Sequence, residues 1–95
     1  MHTRITHYKV KPGRLDEAIA ARDELMPEIE RIPGLVRYLN LWNEDGNGAV
    51  VAVYESQAAA EAAAATAKTM WSNLADLLEP DFSVQEFANC FEFSP

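Results

Sequence analysis

The middle of the chain constrains the fold most. Pro33-Gly34 opens an apolar and aromatic run from Leu35 to Trp42, and a second run follows from Ala49 to Ser56. Between them lies Asn43-Glu44-Asp45-Gly46-Asn47-Gly48, a turn composition that joins two antiparallel strands into a hairpin. Helical patterns flank this hairpin on both sides, so the chain reads as a small α+β sandwich rather than an all-β domain.

Residues 2 to 10 are rich in β-branched and aromatic types and read as a first strand, closed by Lys11-Pro12-Gly13. From Leu15 the apolar positions Ala18, Ile19, Leu25, Met26, Ile29 and Ile32 follow helical spacing, with acidic residues mostly on the other side. Pro27 lies inside this pattern and removes a helical hydrogen bond, so a kink between Asp23 and Pro27 is expected, with the helix in two pieces. After the hairpin, Ser56 is suited to cap an Ala-rich helix from Gln57 to Ala65. A second amphipathic piece carries Met70, Trp71, Leu74, Leu77 and Leu78, stopped by Pro80, and residues 83 to 93 alternate as a last strand. The predicted order is β-α-β-β-α-β, a ferredoxin-like sandwich with a four-stranded antiparallel sheet.

At 95 residues the chain is expected to be one domain, residues 1–95, and 48% hydrophobic residues argue against a disordered chain. The formal net charge is −7, and the basic residues, Lys9, Lys11, Arg22, Arg37 and Lys68 among them, are scattered. Nucleic acid and anionic membrane therefore drop out as partners, since both demand concentrated positive charge. No apolar run approaches the roughly 20 residues a membrane helix needs. Cys90 has no internal disulfide partner and the first residues, MHTRITHYKV, lack a signal-peptide core, so a cytoplasmic protein is expected.

Alternation splits the second strand into Leu35, Arg37, Leu39, Leu41 on one face and Val36, Tyr38, Asn40, Trp42 on the other. Both halves are substantially apolar, and the third strand and the Phe-rich last strand repeat the pattern. Helices shield only one face of such a sheet, so a second copy of the chain, in a two-fold homodimer, is expected to cover the other.

Pro33-Gly34 opening strand two, Tyr38 four residues on, and the Tyr54-Glu55-Ser56 step into an Ala-rich helix resemble the antibiotic biosynthesis monooxygenase family. The resemblance runs from the first strand through Leu78. It implies a dimeric α/β barrel, with two sheets face to face, and a pocket between sheet and helices. There, relatives oxidise aromatic polyketides without metal or flavin, so no cofactor is implied, or degrade haem. Two departures from the family pattern stand out: Tyr54 occupies a position where Trp is usual, and Ala63 falls where many members place a His. The missing His argues against haem ligation.

Among the residues that carry chemistry, His7 sits mid-strand, where a neutral imidazole serves either as a general base toward a phenolic substrate or as an edge or interface histidine. His2 is terminal and expected to be solvated, and no Cys/His/Asp set with ligand spacing marks a metal site. Arg22 falls within the apolar stripe of the first helix, either aimed into the pocket at an anionic oxygen or snorkelling to water. Tyr38, Asn40 and Trp42 share a face that Trp71 can approach from the helix layer; the set suits a planar organic ligand, or equally a core or interface. Asn89, flanked by Phe87 and Phe91, has the same two readings, and Cys90 reads as a small buried hydrophobe.

Two function classes follow. One is a cofactor-free monooxygenase acting on a small aromatic or quinone-like compound, with His7, Asn40 and Trp71 as catalytic candidates and Arg22, Tyr38, Trp42, Tyr54 and Asn89 around the substrate. The other is a non-catalytic homodimer that binds a small ligand or serves as an interaction module. An open cavity holding several of the polar groups separates the first from the second.

Overall fold

A computed structural model describes residues 1–95. Its elements run β1 (His2–Lys9), α1 (Leu15–Glu30), β2 (Leu35–Trp42), β3 (Asn47–Tyr54), α2 (Gln57–Asn73), a short 3₁₀ turn (Ala75–Leu77) and β4 (Ser83–Phe87). The four strands form one antiparallel sheet in the order β2-β3-β1-β4. This is the ferredoxin-like α+β fold that the hairpin and its flanking helical patterns predict.

Local chemistry accounts for most boundaries. The Ser56 hydroxyl accepts a hydrogen bond from the Ala59 amide at 3.1 Å and so caps the start of α2. Gly34 adopts a φ of 78°, and a Cβ there would stand 2.6 Å from the Ala59 side chain, so this turn between α1 and β2 needs glycine. The helix α1 is continuous through Pro27, contrary to the two-piece expectation. Pro27 is solvent-exposed and lies in the last turns, where the remaining helical bonds carry the chain to Arg31. Likewise α2 is one helix rather than an Ala-rich piece and a separate amphipathic piece, and the 3₁₀ turn after it ends at Leu78, which bridges to Val10.

The last strand is shorter than its alternation suggests. Thr3 to His7 of β1 pair with Phe87 to Ser83 in reverse, and β1 begins one residue before Thr3. Beyond Phe87 there is almost no strand left to bond, so residues 88 to 95, including Asn89, Phe91 and Phe93, form no regular structure. Cys90 in that segment is partly exposed rather than buried.

The alternation of side chains sends His2, Arg4, Thr6 and Tyr8 of β1 to the helix side, together with Val50, Ala52 and Tyr54 of β3 and Tyr38, Asn40 and Trp42 of β2. A buried cluster of Ala52, Tyr54, Ala60 and Ala63 seals α2 against the sheet. The small Ala side chains let this helix approach closely at that end. On the opposite face no helix covers Ile5, Val51, Leu39 and Leu41, and Leu41 retains 50% of its exposure. Arg37 on that face pairs with Glu92 and ties the C-terminal segment to it.

Candidate active site

Between the two helices and the sheet lies a cavity of about 90 Å³. Of its 23 lining residues 19 are hydrophobic, so the few polar groups that reach it are the ones able to orient a ligand. Ile19, Leu25 and Ile29 of α1 form one wall, and Met70, Trp71 and Leu74 of α2 another. The sheet supplies the floor through Thr6, Tyr38, Asn40, Val50 and Ala52.

Arg22 occupies the apolar stripe of α1 and does enter this cavity. Its Nη1 donates to Asn40 Oδ1 at 3.3 Å, while Nε and Nη2 donate to Asp23 Oδ1 at 3.1 and 2.8 Å. The guanidinium carbon also lies 5.2 Å from the centroid of the Trp42 ring, a cation–π arrangement. Asn40 in turn donates from Nδ2 to the Tyr8 hydroxyl at 2.8 Å, and Tyr8 donates to the Leu41 carbonyl at 3.4 Å. The result is a directed chain, Arg22 to Asn40 to Tyr8 to backbone, in which the amide orientation is fixed at both ends.

Tyr8 holds its place for two reasons. Its ring lies against Trp71, with centroids 5.5 Å apart, and Trp71 packs edge-on to Phe82 at the same distance. Its phenol also lies directly on the backbone of Gly48, its β3 partner. A Cβ on Gly48 would collide with the Tyr8 ring and stand 2.5 Å from its hydroxyl and 2.7 Å from the Leu41 carbonyl. Gly48 is therefore a strand residue whose missing side chain makes room for Tyr8, more than a member of the turn.

Electrostatics in the cavity follow from burial. Desolvation, with help from Tyr8 and Tyr54, pushes the Tyr38 phenol up to about 12 against the opposing influence of Arg22. Tyr38 is thus a neutral hydroxyl at any physiological pH. Burial raises Tyr54 as well, although Arg4, 5.6 Å above its ring, works the other way.

The residues singled out in the sequence divide into two groups. Arg22, Tyr38, Asn40, Trp42, Tyr54 and Trp71 all line this one cavity. His7 does not. It lies on the opposite sheet face, exposed, with Nε2 3.3 Å from Gln85 Oε1, because neighbouring Tyr8 takes the inward direction and adjacent strand residues cannot share a face. Asn89 lies outside β4 and outside the cavity wall. His2 is buried rather than solvated: its Nε2 lies 3.2 Å from Glu86 Oε1 across the β1–β4 pair. Sequence reading missed Tyr8, Gly48 and Arg4. A glycine within a strand run, facing an aromatic in the neighbouring strand, was the available signal for the first two.

No group of three or more His, Cys, Asp or Glu residues is arranged to hold a metal ion. No helix is long and apolar enough to cross a membrane.

The family model described as antibiotic biosynthesis monooxygenase matches residues 1–77. No curated protein matches the sequence. Among solved structures, SnoaB, a cofactor-independent oxygenase from Streptomyces nogalater, shares 19% identity at a TM-score of 0.78, over 99% of this chain and 96% of that one. A protein of unknown function from Nitrosomonas europaea shares 15% identity at 0.81, over 99% and 93%. Rv0793 from Mycobacterium tuberculosis shares 17% at 0.75, over 98% of both chains. At such identities these likenesses establish the fold.

Proposed function

The chain belongs to the antibiotic biosynthesis monooxygenase family, and from that premise we propose that its cavity binds a small aromatic or quinone-like compound with an acidic oxygen and oxygenates it without a cofactor. The observation that carries this reading is the Arg22–Asn40–Tyr8 chain, which presents fixed hydrogen-bond donors inside a mostly apolar cavity with Trp42 and Trp71 in its wall. SnoaB, of the same fold, is a cofactor-independent oxygenase.

The chemistry needs little from the protein beyond this. A phenolic or enolic substrate that ionises becomes electron-rich enough to reduce dioxygen itself. Arg22, with Asn40 beside it, stabilises the anion where its charge develops, and the apolar walls keep water from competing for that oxygen. For an anthrone-type substrate the net change converts a ring CH₂ to C=O. One atom of dioxygen enters the product and the other leaves as water, with both electron pairs and both protons drawn from the substrate. Trp42 and Trp71 fix the ring plane, and neutral Tyr38 supplies a further hydroxyl donor. His7 has no part in this scheme.

Under the same proposal the chain acts as a homodimer through the helix-free sheet face, where Leu39, Leu41 and Phe87 stay exposed in the single chain. The test is oxygen-18 labelling of the product formed from anthrone, measured against the protein-free rate, for wild type and Arg22→Gln. Label in the ketone, formed faster with wild type and 10- to 100-fold slower with Arg22→Gln, is expected from the roughly 1.5–3 kcal/mol of a charge-assisted bond. Neither binding nor turnover above the protein-free rate refutes the proposal.

A further inference from the structure

The cavity has a second guanidinium. Arg4 on β1 lines the wall near Tyr54, and its side chain keeps only 14% of its exposure. Nη2 donates to the Ala60 carbonyl at 3.1 Å and Nε to Glu86 at 3.3 Å. A guanidinium carries five N–H donors, so most of Arg4's donors have no partner within the chain. Glu86 is half exposed, and water screens much of the charge it offers Arg4. The donors left over are not sealed off by the protein, so an acceptor entering the cavity can reach them.

Where that acceptor would sit follows from the strand register. Arg4 pairs with Ala52, which pairs with Tyr38, whereas Asn40 lies one inward-facing position further along β2. Two inter-strand spacings and two residue rises separate the Arg4 and Asn40 attachment points, a distance of about 12 Å. The surface between them is formed by Thr6, Val50, Ala52 and Tyr38, with no other charged side chain. The cavity thus carries a cation at each end and none between.

From this arrangement we infer that the ligand carries an acidic group at each end: an aromatic acid whose carboxylate is held by Arg4 while its phenolic or enolic oxygen meets Arg22 and Asn40. The inference rests on the reading that this cavity binds an aromatic compound, and it narrows that class to hydroxy- or oxo-aromatic carboxylates. It also assigns Arg4 to ligand selection, apart from the oxygen-handling end.

Two matched probes test it: 2-naphthol, which has only the hydroxyl, and 6-hydroxy-2-naphthoate, which adds a carboxylate at the far end. Calorimetric titration of wild type should show the naphthoate binding at least tenfold more tightly. Arg4→Gln should abolish that ratio by weakening the naphthoate, Arg4→Lys should restore part of it, and Glu86→Gln, which frees the Arg4 charge, should enlarge it. Equal affinities for the two probes in wild type, or a ratio that persists in folded Arg4→Gln, overturn the inference while the aromatic-binding reading stands. If Arg4→Gln does not fold, an unchanged ratio in Glu86→Gln overturns it. Absence of binding by either probe refutes the aromatic-binding reading, and the inference with it.

Discussion

Replacing Gly48 by alanine should disable the candidate site through one methyl group. Gly48 pairs with Tyr8 on one side and Trp42 on the other, and the added Cβ would collide with the Tyr8 ring and stand 2.7 Å from the Leu41 carbonyl. The carbonyl belongs to the sheet and cannot yield, so Tyr8 must move. Overpacking of this kind costs about 1–3 kcal/mol. Displacing Tyr8 forfeits its bond from Asn40, worth about 1 kcal/mol, and alanine returns about 0.4–1 kcal/mol by restricting the unfolded chain. The net loss is about 2 kcal/mol, which for a domain of this size lowers Tm by about 10 °C. Thermal unfolding by circular dichroism at one fixed protein concentration measures it, and the same substitution in a Tyr8→Ala background separates the causes. If Tyr8 is the obstacle, about half of the loss or more should disappear in that background, a coupling of about 1 kcal/mol. A Gly48→Ala protein that melts with wild type, or one that loses the same amount in both backgrounds, refutes the argument that Gly48 exists to seat Tyr8.

Other outcomes follow from the same geometry. The Tyr38 phenol is raised from 10.0 to about 12, so the unfolded chain ionises first. The stability this contributes is complete below pH 10 and lost on the way to about pH 12, and Tyr38→Phe should flatten that alkaline decline in denaturant melts. For Glu86 the sign is opposite: the hydrogen bond from His2, aided by Arg4, holds the carboxyl below its ordinary 4.5. Its contribution is present above that value and lost as pH falls through the lowered one, so the acid limb of Tm against pH should be shallower in Glu86→Gln than in wild type. On the helix-free sheet face, Leu41→Glu should give a monomer by light scattering where wild type gives a dimer, and a wild-type monomer at micromolar concentration refutes the proposed pairing.

The parts of the fold that depend on local chemistry were legible in the sequence. Asp45-Gly46-Asn47 marks a turn, Ser56 a helix start, and two-residue alternation places Tyr38, Asn40 and Trp42 on one face whatever lies above them. What remained hidden depends on partners distant in the chain. The length of β4 is set by where β1 begins, and no property of residues 88 to 93 encodes that. His7 and Tyr8 are both plausible pocket residues on β1, yet alternation admits only one, and the choice waits on which face the helices cover. Arg4 reads as one of several scattered cations until the register brings it over Tyr54. Pro27 illustrates the converse: a strong local signal for a break is overridden because the helix has only a few residues left to run and the ring faces solvent.

Both tryptophans of the chain, Trp42 and Trp71, stand in the wall of the same cavity, one beneath a guanidinium and the other between two aromatic rings. All of the protein's indole emission therefore originates around one compartment. A molecule that enters it should quench or shift the entire fluorescence signal, so the chain comes with its own optical reporter of occupancy and needs no attached dye.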